Sequence, residues 1–378
     1  MAAEVLNQLK PQYPSLEAQI NEMIDLYNKK LWHPLTKELE NFVHKPEFNE
    51  GTSLLTLKDS LLRDIHTRIN PFSLVNISLR VLKQESDLSQ ILAYVEQMKT
   101  LPNVKHAESA LLLCDVAIAD LKLTLDQQQE AKKMIEELQD KFDALDGVGP
   151  VHKKFYELSS RYYQMQANHA LYYREALRYL GCIDVNKDLT ESERHTKAVC
   201  LGLAAILGEG VYNFGELLAH EILNALSGTE QEWVNELLFA FNSGDIAKYE
   251  SLKSYWSTIP DLVAAEMALR QKVSLLCLME MAFKMPANNR NLKFEEIASA
   301  IKIKFDDVEL LVMKALSLGL IRGCIDQVDE IVHVTWVSPR VLSRDQLATM
   351  SKKLVDWQGD INRVEHLVQD GAKTIIGY

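Results

Sequence analysis

The sequence predicts a mainly α fold: a helical-repeat solenoid, then a winged helix, then one terminal bundle helix. Three observations predict it. From about Leu16 to Met285 apolar residues recur at three- and four-residue spacing with few β-branched alternations. The stretch Phe305 to Val337 then reads as a helix running into two short strands, and the last segment carries an unbroken apolar stripe at alternating intervals of three and four.

In the long helical region, short punctuation divides the chain into helical hairpins. Phe155, Leu158 and Tyr162 line one helix, and Tyr173, Ala176, Leu177 and Leu180 line the next across a turn near Asn168. In EWVNELLFAFNSGDIAKYESL, Asn242-Ser243-Gly244 ends a helix and Asp245 can cap the one that follows. Further breaks fall at Asn70-Pro71, at Gly147 to Pro150 and at Met285-Pro286. No fixed period survives, so these are degenerate repeats, like tetratricopeptide arrays in general shape only. The smooth run VCLGLAAIL, bounded by Lys197 and Glu209, is a core helix and too short to span a bilayer.

MPANNRN links this region to the small module. There Phe294, Ile297, Ala298 and Ile301 make one apolar face of a first helix. The second helix is expected to start with Asp306 as N-cap, Glu309 three residues on, and Phe305 stapled to Leu310. IRGCID and IVHVTWV follow as strands joined around Gln327 to Glu330, with Val332, Val334 and Trp336 alternating against His333 and Thr335. A winged helix that reads DNA needs Lys or Arg on its second helix. Between Phe305 and Val337 stand two basic residues, Lys314 and Arg322, against six acidic ones, a balance of −4. Such a surface repels a duplex.

The final segment opens with Ser343 and Gln346 spaced as a second capping box. Leu347, Met350, Leu354, Trp357, Ile361, Val364 and Val368 follow as the seam of a coiled coil or helical bundle. The seam either folds back on its own domain or meets partner helices, and its narrow register after a complete small domain favours partners.

Composition limits what else the chain can be. At 378 residues, 47% hydrophobic and 25% charged, it is long enough for two or three domains of ordinary globular type. The net charge of −12 argues against general affinity for nucleic acid or anionic membrane. The N-terminus has no basic region followed by an apolar block, so a cytosolic or nuclear protein is expected, and the sequon at Asn76 reads as chance. Cys114, Cys182, Cys200, Cys277 and Cys324 form an odd, widely spaced set, expected to be reduced core thiols.

Catalytic and metal patterns fail on inspection. His220-Glu221 begins HExxH, but Asn224 stands where the second histidine must be. Gly208-Glu209-Gly210 begins a dinucleotide fingerprint that ends in Asn213 with no strand before it. No phosphate loop or nucleophile elbow occurs, and His169 and His195 read as polar residues at helix ends. The expectation is no catalytic residue, no cofactor and no metal.

A helical array, a winged helix and a bundle helix, in that order on an acidic chain, resemble the PCI-domain family, shared by the proteasome, the signalosome and a translation initiation factor. KKLWHPLT (29–36), ANHALYYREALRYLGC (167–182), LGEGVYNFGELLAH (207–220), FAFNSGDIAKY (239–249), SLLCLMEMAF (274–283) and the long stretch 309–342 are similar to those of PCI subunits of the proteasome lid, from about Tyr27 onward. The resemblance implies an N-terminal segment (1–26), a helical-repeat arm (27–200) and a PCI domain (201–342). That domain comprises a helical part (201–285) and a winged helix (291–342), with the bundle helix (343–378) after it. It also implies a non-catalytic scaffold whose partners are other PCI subunits, the two MPN subunits and, near the arm, a ubiquitin receptor. Carried onto this chain, the winged-helix edge falls on Arg322 to Asp326 and Ile331 to Val337, with Arg322, Ile325, Val332, Val334 and Trp336 as contact residues. The bundle contact falls on the seam from Leu347 to Val368. The alternatives are a PCI scaffold of the signalosome or of the initiation factor, and a winged-helix nucleic-acid binder.

Overall fold

The computed structural model describes residues 16–43, 45, 54–55, 62–85, 87–145, 147–285, 290–339 and 344–376. By contacts the chain divides into one unit of residues 1–168 and 174–183 and another of residues 169–173 and 184–378. It is mainly α. The longer helices of the first unit are α1 (Glu17–Asn28), α2 (Trp32–Val43), α3 (Pro71–Leu82), α4 (Leu88–Thr100), α5 (Glu108–Thr124), α6 (Gln128–Asp143) and α7 (Pro150–Met165). α8 (His169–Gly181) contributes residues to both units.

Capping residues set several helix starts. The Asn70 side chain accepts from the Phe72 amide with Pro71 in the first turn, and Asp87 caps α4 in the same way. α5 packs against α3, α4, α6 and α7. It is apolar around most of its circumference, as a helix with neighbours on every side must be, with Leu112, Leu113, Val116, Ile118 and Leu123 all buried. Its one buried carboxylate, Asp115, is compensated by Lys99 at 2.6 Å and Lys141 at 3.6 Å. Phe155, Leu158 and Tyr162 of α7 and Tyr173, Ala176 and Leu180 of α8 are buried, as the hairpin reading required, and Ala167 takes the left-handed conformation between the two helices.

The boundaries expected after residues 26 and 200 both fall inside helices. The first cuts α1, which buries Ile20 and Met23. The second cuts α9.

The second unit is built on α9 (Glu191–Leu207), α10 (Glu232–Ser243) and α11 (Glu266–Lys284). α9 starts in a capping box between Thr190 and Glu193. Gly202 lets it lie close on α10, because a Cβ there would come within 2.5 Å of Val234. α10 ends at Gly244 in the left-handed conformation, φ 65°, and Asp245 caps the next short helix by accepting from the Lys248 amide. The small module follows as β1 (Asn291–Lys293), α12 (Phe294–Ile301), α13 (Phe305–Ser317), β2 (Ile321–Asp326) and β3 (Ile331–Val337). α14 (Arg344–Ile376) comes last.

Three details of the module depart from expectation. β1, read as part of a link, is a third strand, and the sheet order is β1-β3-β2 with both pairings antiparallel. α13 begins at Phe305 rather than after Asp306, so Asp306 and Asp307 lie in the first turn, where carboxylates meet the positive end of the helix. The staple does not form: Leu310 is 61% exposed, and the Phe305 ring instead packs on Phe294, centroids 5.9 Å apart. The capping box expected at Ser343 lies outside the described residues.

Candidate partner-binding surfaces

β3 was expected to provide an open edge. It is the central strand: β2 pairs with it along residues 331–337 and β1 covers its other side at residues 331–333. Val332 and Val334 point inward and are buried, and the Val334 amide donates to the Arg290 carbonyl at 2.9 Å. Trp336 is half-buried, with the Arg322 guanidinium 4.7 Å from its ring centre. Of the five residues assigned to the edge, only Arg322 and Ile325 stand on an edge strand, β2. That strand carries a bulge between Arg322 and Gly323. Glycine is required there, because a Cβ would fall within 2.0 Å of the His333 carbonyl oxygen.

On the exposed side of α13, Leu310 and Met313 stand among Asp306, Asp307 and Glu309. This is where a DNA-reading module carries cations, and here it offers carboxylates and apolar side chains. Val328, at the turn between β2 and β3, is 92% exposed. The sequence reading missed these three apolar residues, although the three-residue spacing of Leu310 and Met313 outside the buried face was available as a signal.

The seam of α14 is a continuous exposed apolar stripe. Leu347, Met350, Leu354, Trp357, Ile361, Val364 and Val368 are between 51% and 65% exposed. Contiguous apolar exposure on this scale marks a surface built to be covered.

The fragments of catalytic motifs have ordinary structural uses. His220 Nδ1 accepts from the Ile222 backbone amide at 3.2 Å, capping a short 3-10 helix, and Glu221 Oε2 accepts from the Asn186 side-chain Nδ2 at 3.2 Å. Among the described residues no cluster of three or more His, Cys, Asp or Glu is placed to hold a metal ion. No described helix is long and apolar enough to cross a membrane. All five cysteines are free. Burial and the adjacent Asp115 carboxylate push the Cys114 thiol up to about 12, so it is not a nucleophile. Of the expected core thiols only Cys114 is buried: Cys182, Cys200 and Cys277 are half-buried, and Cys324 sits exposed on the edge strand β2.

Among the described residues one buried charge has no carboxylate in contact with it. Lys272 Nζ on α11 donates to the carbonyls of Ala205, Ile206 and Gly208 at 2.8, 2.9 and 2.9 Å, closing the C-terminal end of α9. The Phe214 ring centre lies 5.3 Å away, and burial pushes the ammonium down to about 7.

Comparison with known proteins finds two family matches along the chain. Residues 19–238 match the family described as PSD13 N-terminal repeats, and residues 250–336 match the PCI domain. The 26S proteasome non-ATPase regulatory subunit 13 of Dictyostelium discoideum is 35% identical over 99% of this chain and 98% of its own length. Its homolog B of Arabidopsis thaliana is 36% identical over 94% of both. The eukaryotic translation initiation factor 3 subunit M of Yarrowia lipolytica is 31% identical, over 45% of this chain and 42% of its own length. With one family match covering more than half of its residues and relatives similar from end to end, the chain belongs to the family of 26S proteasome non-ATPase regulatory subunit 13.

Proposed function

We propose that the chain is a non-catalytic structural subunit of the 26S proteasome lid, positioning other subunits for degradation of ubiquitinated proteins. The relatives similar over nearly their whole length are named as proteasome regulatory subunits, and this chain carries the same repeats and PCI domain. The observation that carries the scaffold role is the seam of α14, half or more exposed along its whole length. Burying such side chains contributes roughly 1.5–3 kcal/mol each when complete, which a bundle of partner helices supplies. The partners in this reading are other PCI subunits, contacted through the β2 edge at Arg322 and Ile325, and the MPN subunits, contacted through the α14 seam. A ubiquitin receptor lies near the N-terminal helices. The working compartments are cytoplasm and nucleus.

A second reading, a PCI scaffold of the initiation factor, has a specific observation behind it in the half-length similarity to subunit M. Affinity purification of the full chain from cells, with mass spectrometry of what co-purifies, separates them. Near-equal recovery of lid subunits is expected. Recovery of initiation-factor subunits in their place would overturn the reading.

A further inference from the structure

In the first unit, α3, α5 and α7 together with the start of α4 line a groove of about 510 Å³. Its reachable floor is apolar, made of the partly buried Leu79, Leu88, Ala117 and Leu121 over the fully covered Leu82, Leu113, Val116 and Leu158. Its rim is charged. Arg80, Lys83, Lys154 and Arg161 outnumber Glu85, Asp120 and Glu157, on a chain whose net charge is −12. Arg161 is already paired with Asp120. With that pair set aside, Arg80, Lys83 and Lys154 stand against Glu85 and Glu157, and Lys83 acts on Lys154 as a nearby like charge.

Lys154 is the informative residue. It is half-buried, and among the described residues its Nζ has a neutral partner, the Asn76 Oδ1 at 2.7 Å, with no carboxylate in ion-pair contact. Burial, reinforced by the neighbouring charge of Lys83, pushes it down to about 8, and the one opposing influence is Glu157. A half-buried ammonium crowded by a like charge is unfavourable until an anion joins it, and a carboxylate arriving at the rim would relieve both effects at once.

We propose that this groove seats an amphipathic helix of another polypeptide, its apolar face on the floor and an Asp or Glu side chain between Lys83 and Lys154. The floor favours a helix over an extended or nucleic-acid ligand. It is made of rows of helical side chains into which the ridges of another helix can pack, and it offers no exposed aromatic platform for bases. The inference rests on the assembly reading above and adds to it a contact made by the N-terminal helices.

The test compares the isolated full chain with the complex recovered through a tag on it. Both are pulsed with acetic anhydride, and acetylation of Lys83 and Lys154 is followed by mass spectrometry. The complex is also treated with a carbodiimide, which joins an amine to a carboxylate in direct contact. Acetylation roughly tenfold or more slower in the complex is expected, together with coupling of Lys83 or Lys154 to an acidic residue in a helix of a co-purifying subunit. Replacing both lysines by glutamine should weaken retention of that subunit roughly tenfold, arginine at both should restore it, and unchanged melting would show the glutamine variant folded. Equal acetylation in the two samples overturns the proposal. So does protection that ribonuclease abolishes, or protection without coupling to a carboxylate. A chain that purifies alone overturns the assembly reading, and that result is visible before any labelling.

Discussion

α11 and α14 carry similar apolar spacing and meet different fates. On α11, Leu269, Val273, Leu276 and Met279 are buried, and the helix packs against α10, α12, α13 and β3. On α14 the seven seam residues are all at least half exposed. Periodicity tells that a stripe needs cover. Whether the chain itself supplies the cover depends on how many elements converge there, and α11 stands where the helical part meets the winged helix.

The largest effect should come from placing a charge in the covered stripe. Leu276→Asp buries an uncompensated carboxylate where no partner is available, costing on the order of 4 kcal/mol or more, enough to unfold a marginally stable unit. Loss of the cooperative melt of the second unit is expected, and a mutant melting near wild type would show that α11 is less enclosed than its burial indicates.

Gly244→Ala tests the same helix from its neighbour. The new Cβ would sit 2.5 Å from the Cys277 Cα, at a residue whose φ of 65° already disfavours a side chain. A loss of about 2–4 kcal/mol in a denaturant melt is expected, from backbone strain and overpacking together.

Lys272→Met is smaller and depends on pH. It leaves the carbonyls of Ala205, Ile206 and Gly208 without their donor, about 1–3 kcal/mol. In the wild type the ammonium is pushed down from 10.5 to about 7 by burial. Between those values the unfolded chain holds a proton that the folded chain lacks, so this residue makes stability rise as pH rises through that window. The variant lacks that contribution. The stability difference between wild type and variant should therefore widen from pH 7 to about pH 9 in urea melts, and a constant difference would contradict the assignment.

Much of this architecture is legible in the sequence. The helical hairpins announce themselves through Asn70-Pro71, Gly244-Asp245 and the spacing of Phe155, Leu158 and Tyr162, because caps and periodicity are local properties. β2 and β3 match the expected IRGCID and IVHVTWV for the same reason. The strand order is not local. Asn291–Lys293 is too short to show alternation, yet its pairing places β3 in the centre of the sheet, with Val332 and Val334 buried. The staple failed similarly: Phe305 had a nearer aromatic partner, Phe294, than sequence spacing could reveal. Lys272 looks like a surface residue in RQKVSLL, since nothing local shows that carbonyls more than sixty residues earlier surround its amine. Among the candidate contact residues, those on α14 could be read because a narrow stripe is visible in one dimension. The rim of the first-unit groove could not, because Lys83 and Lys154 come together only through packing.

The central claim is that the α14 seam is reserved for partner helices, and one double substitution tests it. Leu354→Asp with Ile361→Asp puts two carboxylates on side chains that are 52% and 51% exposed in the chain by itself. Melting of the isolated full-length variant should stay within about 0.5 kcal/mol of wild type, since exposed positions tolerate charge. Incorporation into the complex, read by co-purification, should be abolished, because a seam between helices must be dry. A large loss of stability in the isolated chain would show that α14 packs on its own domain, and a stable variant that still joins the complex would show that the seam is not the contact.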